Sequence, residues 1–256
     1  MLLCTVRDCG AGLTQQDRRW ICPRGHSFDV ARSGYVNLLQ PQDRRSKHPG
    51  DTPEAVAARR RLHDSGVTRP LFEAIAGMVK AGPEDIVLDA GCGDGFYLGQ
   101  LAAQTGCRAH GLDISILAVD AAARRYPDGE WVVANADRFV PYADGSFSLI
   151  LSITARMNAP EFHRVMHPYG RMLVAVPASD DLQELRGAGR DRAARTIETF
   201  APQFRLVEQS RATTHADLDA EAVEEVRRSI YRPLHTGPAV AMRVTFSLDL
   251  LLFRAP

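Results

Sequence analysis

Residues 86–96 read Ile86-Val87-Leu88-Asp89-Ala90-Gly91-Cys92-Gly93-Asp94-Gly95-Phe96. A short apolar run ends in a glycine-rich loop, and a helical pattern follows at Phe96, Leu98, Leu101 and Ala102. Glycines at such a place let the backbone turn tightly and approach a ligand closely. The loop opens at the carboxyl end of a strand, where open α/β sheets bind ligands. The third glycine comes one residue too early for the dinucleotide pattern G-x-G-x-x-G. Asp89 and Asp94 would repel a pyrophosphate, whereas they suit a cationic ligand carrying an amine and a sulfonium.

Outward from this loop the α/β pattern continues. Leu71, Ile75, Met78 and Val79 recur at helical spacing before it. After it come an expected strand over 109–112, a helix over 116–125, strands over 131–134 and 147–153, a helix over 160–166 and a strand over 172–176. Strands alternating with helical runs predict a mostly parallel sheet with helices on both faces. The tail adds an expected strand at 204–207, a helix over 220–230 and a strand over 244–253 that alternates at Val244, Phe246, Leu248 and Leu250. Three more clues follow the strands in order. Asp113 ends the second strand, where an acid can fork to both ribose hydroxyls. Asn135-Ala136-Asp137 follows the third, placed to reach an adenine edge. Asp144-Gly145-Ser146 leads into the fourth. Each alone reads equally as an ordinary turn; together with the loop, in βα order, they predict a cofactor site.

The 256 residues are 24% charged and 45% hydrophobic, near the globular average, which excludes a disordered or fibrous chain. No run approaches the ~18 apolar residues of a membrane span. The N-terminus meets Arg7 and Asp8 too soon for a signal-peptide core, so the expected location is cytoplasmic. A net charge of zero hides an asymmetry: residues 1–69 hold twelve Arg/Lys against seven Asp/Glu. That fits either a solvated surface or a region facing a polyanion.

Residues 1–39 form a separate unit, expected as two tight knuckles joined by a short hairpin. It is too small to build its own core and needs an external staple. The spacing C-x4-C-x12-C-x3-H supplies one: Cys4 and Cys9 pair, and Cys22 and His26 pair. Zinc takes four such ligands in a tetrahedron, and four protein ligands leave no open position, so the metal is expected to be structural. Cys92 and Cys107 are expected to be unliganded packing residues. Residues 40–67 read as a polar, basic connector containing a helical run over 54–62.

The core loop, Asp113 and Asn135-Ala136-Asp137 resemble class I S-adenosylmethionine-dependent methyltransferases over residues 68–256. The resemblance implies a Rossmann-like seven-stranded sheet with a reversed last strand. It implies that Asp89, Gly91, Cys92, Gly93, Asp94 and Gly95 wrap the methionine part of the donor, that Asp113 and Ile114 hold the ribose, and that Asn135, Ala136 and Asp137 lie along the adenine.

The N-terminal strings narrow the family. Cys22-Pro23-Arg24-Gly25-His26-Ser27-Phe28-Asp29, Gly34-Tyr35-Val36-Asn37-Leu38-Leu39, Arg45-Ser46-Lys47-His48-Pro49-Gly50-Asp51 and Ala58-Arg59-Arg60 resemble RlmA-type ribosomal RNA guanine-N1 methyltransferases, which modify a hairpin of 23S RNA. The resemblance implies a 23S RNA partner and a homodimer whose two zinc modules frame an RNA cleft. Independently of it, Arg44, Arg45, Lys47, Arg59, Arg60 and Arg61 can neutralise phosphates, and Phe28 and Tyr35 can stack unpaired bases. A solvated helix face is the bland alternative for Arg59–Arg61. The chain departs from the family in its x4 first knuckle (x2 is usual) and in Ile153-Thr154-Ala155-Arg156, where a Tyr/Phe turn with Pro is usual. It departs also at Thr68 and Asp181, where the family can place a Tyr and a His near the cofactor; the resemblance implies that these two positions still contact the cofactor. Two rivals remain: a methyltransferase of a small molecule or another RNA, and a non-catalytic zinc-bearing RNA binder.

Overall fold

The computed structural model describes residues 1–43, 50–155, 157–230 and 237–255. The N-terminal unit begins with strands β1 (Thr14–Gln16), β2 (Arg19–Ile21) and β3 (Ser27–Asp29), an antiparallel three-stranded sheet. A fourth strand, β4 (Val36–Asn37), leaves it and joins a different sheet. Helix α1 (Pro53–Asp64) follows. Thr52 caps it by accepting from the Ala55 N–H, and Pro53 opens it where a missing N–H costs nothing.

The α/β unit then runs α2 (Arg69–Val79), β5 (Ile86–Ala90), α3 (Phe96–Thr105), β6 (Arg108–Asp113), α4 (Ile116–Arg125), β7 (Glu130–Val133), β8 (Phe147–Ile153), α5 (Ala159–Val165) and β9 (Met166–Pro177). It closes with α6 (Gln183–Arg186), α7 (Ala193–Phe200), β10 (Arg205–Leu218), α8 (Ala220–Ser229) and β11 (Met242–Arg254). The helix ends are written locally: Gly106 in the left-handed conformation stops α3, and Ser115 and Asp219 cap α4 and α8.

The main sheet has the order β10-β11-β9-β8-β5-β6-β7-β4. β11 is antiparallel to both neighbours and is the reversed strand; the other neighbouring pairs are parallel. This corrects the expectation of seven strands to eight. The additional strand is β4, whose Val36 and Asn37 pair with Val132 and Val133 of β7.

Each sheet face carries one apolar cluster. On the first, Leu71, Phe72, Ile75, Met78 and Val79 of α2 pack with Val244, Phe246, Leu248 and Leu250 of β11, so the alternation read in the last strand is the face turned to α2, while Leu251 and Phe253 are buried on the other face. The second joins Leu2, Leu13, Phe28, Val36 and Leu38 of the N-terminal unit to Leu88, Leu112 and Val132 of the sheet. The small unit therefore shares the methyltransferase-like core. Backbone bonds from Leu3 N to Pro141 O and from Ala143 N to Met1 O fasten its first residues there.

Trp131 is 1% exposed, and its indole N–H donates to Tyr126 O at 2.8 Å. Its ring lies over Gly95: a Cβ there would come within 2.6 Å of the ring edge, and φ of +77° also favours glycine. The tryptophan thus presses the end of the glycine loop into place. Trp131→Ala is expected to cost about 3–5 kcal/mol, read as a lowered denaturant midpoint. A loss below about 1 kcal/mol would show that surrounding side chains fill the space, as volume-tolerant cores do.

Candidate active site and metal centre

The metal site follows from two short turns. Gly25 N bonds to Cys22 O, and Cys22 N to His26 O, so the second knuckle folds back on itself. The first, longer knuckle closes through Cys9 N to Val6 O, with Asp8 and Gly10 in the left-handed region. The four ligand atoms lie within 4.8 Å of one another. Cys9 Sγ is 3.8 Å from Cys22 Sγ, and His26 Nδ1 is 3.4 Å from the Sγ of both Cys4 and Cys22. Zinc bonds of about 2.3 Å to sulfur and 2.0 Å to nitrogen give tetrahedron edges of about 3.8 Å and 3.5 Å. Three of the six edges have the spacing of a zinc tetrahedron, and the other three lie within 4.8 Å. Burial raises the Cys4 thiol to about 12, with Cys9 and Cys22 adding to the effect. At Cys22 burial is outweighed by hydrogen bonds from His26 and Arg24, which bring it down to about 7. A divalent cation removes the repulsion that keeps the three sulfurs from ionising together.

The second site surrounds Gly91–Gly95. Asp89 ends β5 and is 2% exposed; burial, with the nearby Asp113, raises its carboxyl to about 8. Asp94 is buried and raised, with Arg59 and Arg125 opposing. Asp113 is raised by burial and opposed by two N–H donors: Gly93 N bonds Oδ2 at 3.0 Å and Ser115 N bonds Oδ1 at 2.8 Å. Asp89 Oδ1 and Asp94 Oδ2 have no hydrogen-bond partner among the described residues. Buried carboxylate oxygens are costly to leave unpaired, so their presence here fits a cationic ligand. The residues suit S-adenosylmethionine, whose amine and sulfonium are both positive.

The other residues singled out in the sequence fall as follows. Asn135 donates to Asp43 O at 2.8 Å and accepts from Asp137 N at 3.0 Å, and Ala136 O accepts from Asn158. Ile114 packs partly buried beside Asp113. Cys92 and Cys107 are buried thiols in the first core. Thr68 is buried and lies 2.8 Å from His63 Nδ1. Asp181 accepts from Ser247 N and pairs with Arg186. Tyr35 is half-buried against the first core.

Two expected RNA contacts sit elsewhere. Phe28 is 9% exposed and committed to the second core, so its ring is not offered to a base. Arg59 turns inward and pairs with Asp51 at 2.8 Å beside the glycine loop. Arg60 and Arg61 remain at the surface, paired with Asp64 and Glu225. Arg44, Arg45 and Lys47 lie outside the described residues.

Sequence reasoning missed His63. It is buried, stacked on Phe96 with centroids 4.0 Å apart, and its Nε2 is 3.8 Å from Asp94 Oδ1. Burial, then Arg59 and Arg125, hold it neutral at about 3. Its signal was the i,i+4 spacing from Arg59, which places both on one face of α1.

Comparison with known proteins separates the two halves. The zinc-ribbon family described as RlmA, N-terminal, matches residues 4–47, and the family described as a methyltransferase domain matches residues 87–175. A 23S rRNA (guanine(748)-N(1))-methyltransferase of Streptomyces fradiae is 40% identical over 230 residues, 85% of this chain and 81% of that protein. The chain belongs to the RlmA-type 23S rRNA (guanine-N1) methyltransferase family.

Weaker similarities of this RlmA-type protein reach proteins of other chemistry. A malonyl-[acyl-carrier protein] O-methyltransferase of Serratia marcescens is 27% identical, over 67% of this chain and 68% of its own. The [4+2]-cyclase SpnF has a TM-score of 0.51 at 17% identity, covering 73% of this chain and 80% of that one. That likeness shows the fold alone, and proteins of different chemistry share it. The RlmA-type chain is an S-adenosylmethionine-dependent methyltransferase with a zinc ribbon. Among the described residues no helix is long and apolar enough to cross a membrane.

Proposed function

We propose that this RlmA-type protein transfers a methyl group from S-adenosylmethionine to N1 of a guanine in a hairpin of 23S ribosomal RNA. The observation that carries the reading is the zinc module fused to the sheet edge through β4, on a chain that is 40% identical to a 23S rRNA guanine-N1 methyltransferase. A small-molecule methyltransferase has no evident need of that module.

The donor supplies an electrophilic methyl group. Asp89, Asp94 and Asp113 favour its cationic end, and the glycines let the loop backbone close on it. The target base must leave its stack before a ring nitrogen reaches such a loop. As the new N1–C bond formed, the S–CH3 bond would break with its electron pair left on sulfur, and the N1 proton of neutral guanine would pass to water. Most of the acceleration is expected from holding nucleophile and methyl in line. Around the site, Arg60 and Arg61 carry surface ion pairs. Such pairs are worth little in water and exchange readily for RNA phosphates. In this reading residues 1–39 recognise RNA, 40–67 connect, 68–256 carry the methyl transfer, and the protein acts in the cytoplasm. A homodimer would set two modules around one stem-loop.

The test is to incubate protein, labelled donor and 23S RNA, and to map the product by mass. N1-methylguanine in a hairpin is expected. Methylation at an exocyclic amine, transfer to small molecules alone, or donor binding without any turnover would overturn the proposal.

A further inference from the structure

S-adenosylmethionine carries three charged groups, and the acidic loop suits two of them. Asp89, Asp94 and Asp113 stand on and around Gly91–Gly95, with Asp51 behind Arg59 acting on Asp113, and they attract the amine and sulfonium. They repel the third group, the α-carboxylate of the methionine end. A pocket of this sign therefore needs one cation placed on the loop itself.

Arg59 is in that place. Its Nη1 lies 3.2 Å from where a Cβ on Gly93 would sit, and Gly93 has a φ of +54°. Its charge acts on Asp94 and Asp113. The guanidinium bonds Asp51 Oδ2 at 2.8 Å and the Ser229 carbonyl at 3.2 Å. A guanidinium has five N–H donors, so these two bonds leave donors in hand, and the side chain is 25% exposed.

The arginine is also held in register with the rest of the site. Asp51 N donates to Ser115 Oγ at 3.2 Å, and Ser115 N donates to Asp113 Oδ1 at 2.8 Å. One chain of hydrogen bonds thus links the expected ribose acid to Arg59. His63, one turn further along α1, packs on Phe96 at the start of α3 and fixes the helix face that carries the arginine. Arg125 is the other cation acting on Asp94; its Nη2 bonds Asp64 on α1 and its buried Nη1 has no partner among the described residues, so what singles out Arg59 is its place against Gly93.

We propose that Arg59 is a donor-binding residue that takes the α-carboxylate of S-adenosylmethionine, instead of an RNA phosphate. The assignment rests on the methyltransferase reading. Its test uses a ligand pair that differs by this one group: S-adenosylmethionine and its decarboxylated analogue. Binding of each to the full chain is measured by calorimetry, without RNA, for the native protein and for Arg59→Gln, Arg59→Lys and, as a control at an exposed position of α7, Arg195→Gln.

The native protein is expected to prefer S-adenosylmethionine by about tenfold or more, the worth of a charge-assisted hydrogen bond. Arg59→Gln removes that preference while leaving the decarboxylated analogue within about threefold. Arg59→Lys keeps part of the preference, and Arg195→Gln leaves both affinities unchanged. Equal loss for both ligands in Arg59→Gln would assign the arginine to holding Asp51, and overturn the proposal. So would unchanged affinity for both ligands in Arg59→Gln. If neither ligand bound the native protein, the methyltransferase reading would fall first and this assignment with it.

Discussion

Replacing Cys9 or Cys22 by serine, or removing zinc with a chelator, is expected to lower the melting temperature of the whole chain in one transition. The argument starts from size. The strands of the N-terminal unit are two or three residues long, and a segment of about 40 residues buries too little to fold unaided. Structural zinc contributes about 10–16 kcal/mol in peptides of this kind. What makes the loss global is the shared core. Phe28, Val36 and Leu38 pack with Leu88, Leu112 and Val132, and β4 closes the edge of the main sheet. Unfolding the module strips that face and leaves β7 as an open edge. Metal analysis should find one zinc per native chain and less in either variant. Calorimetry should show a single transition, lowered by about ten degrees or more for a change of several kcal/mol. Two separate transitions would show that the module and sheet are not coupled. An unchanged zinc content in the serine variants would remove those cysteines from the ligand set.

The parts legible in the sequence are those written in local chemistry. The β5 loop, the caps of α1, α4 and α8, and the alternation along β11 each follow from a few neighbouring residues. The zinc ligands are legible because spacing alone fixes a knuckle. β4 was not, because two residues have no period of their own; Val36 and Asn37 become a strand by pairing with Val132 and Val133, about a hundred positions away. Phe28 reads as an exposed aromatic beside basic residues, and its burial is a tertiary fact. The run Arg59-Arg60-Arg61 is more instructive. Successive residues of a helix point about 100° apart, so a run of one charge does not make one charged face. Arg59 reaches the glycine loop, Arg60 meets Asp64 one turn on, and Arg61 crosses to Glu225 of α8, the helix against which α1 packs.

Donor binding is expected to release a proton at neutral pH, and Asp89 is its source. The carboxyl is buried at the end of β5, with Oδ1 unpartnered among the described residues. Burial and the charge of Asp113 put it at about 8 in the free protein, so at pH 7 it holds its proton. A bound cation beside it favours the ionised form, and the proton leaves as the donor enters. Calorimetry at pH 7 in buffers of different ionisation enthalpy should then report release of close to one proton, falling toward zero above about pH 9. Affinity should climb by about tenfold per pH unit between pH 6 and 7.5 and then level. The same shift governs the stability of the free protein, with the sign set by its direction. The folded state holds the proton more tightly than the unfolded chain, whose value is 3.8. The resulting stability is full below that value and is lost as pH rises through about 8. Asp89→Asn keeps the shape and removes the titration. It should flatten both pH profiles, abolish proton release and weaken the donor by about tenfold or more at pH 8.5. Proton release that survived in Asp89→Asn would move the titrating group to Asp94 or Asp113. Binding without any buffer dependence in the native protein would mean that Asp89 is already ionised, and that a cation compensates it before the donor arrives.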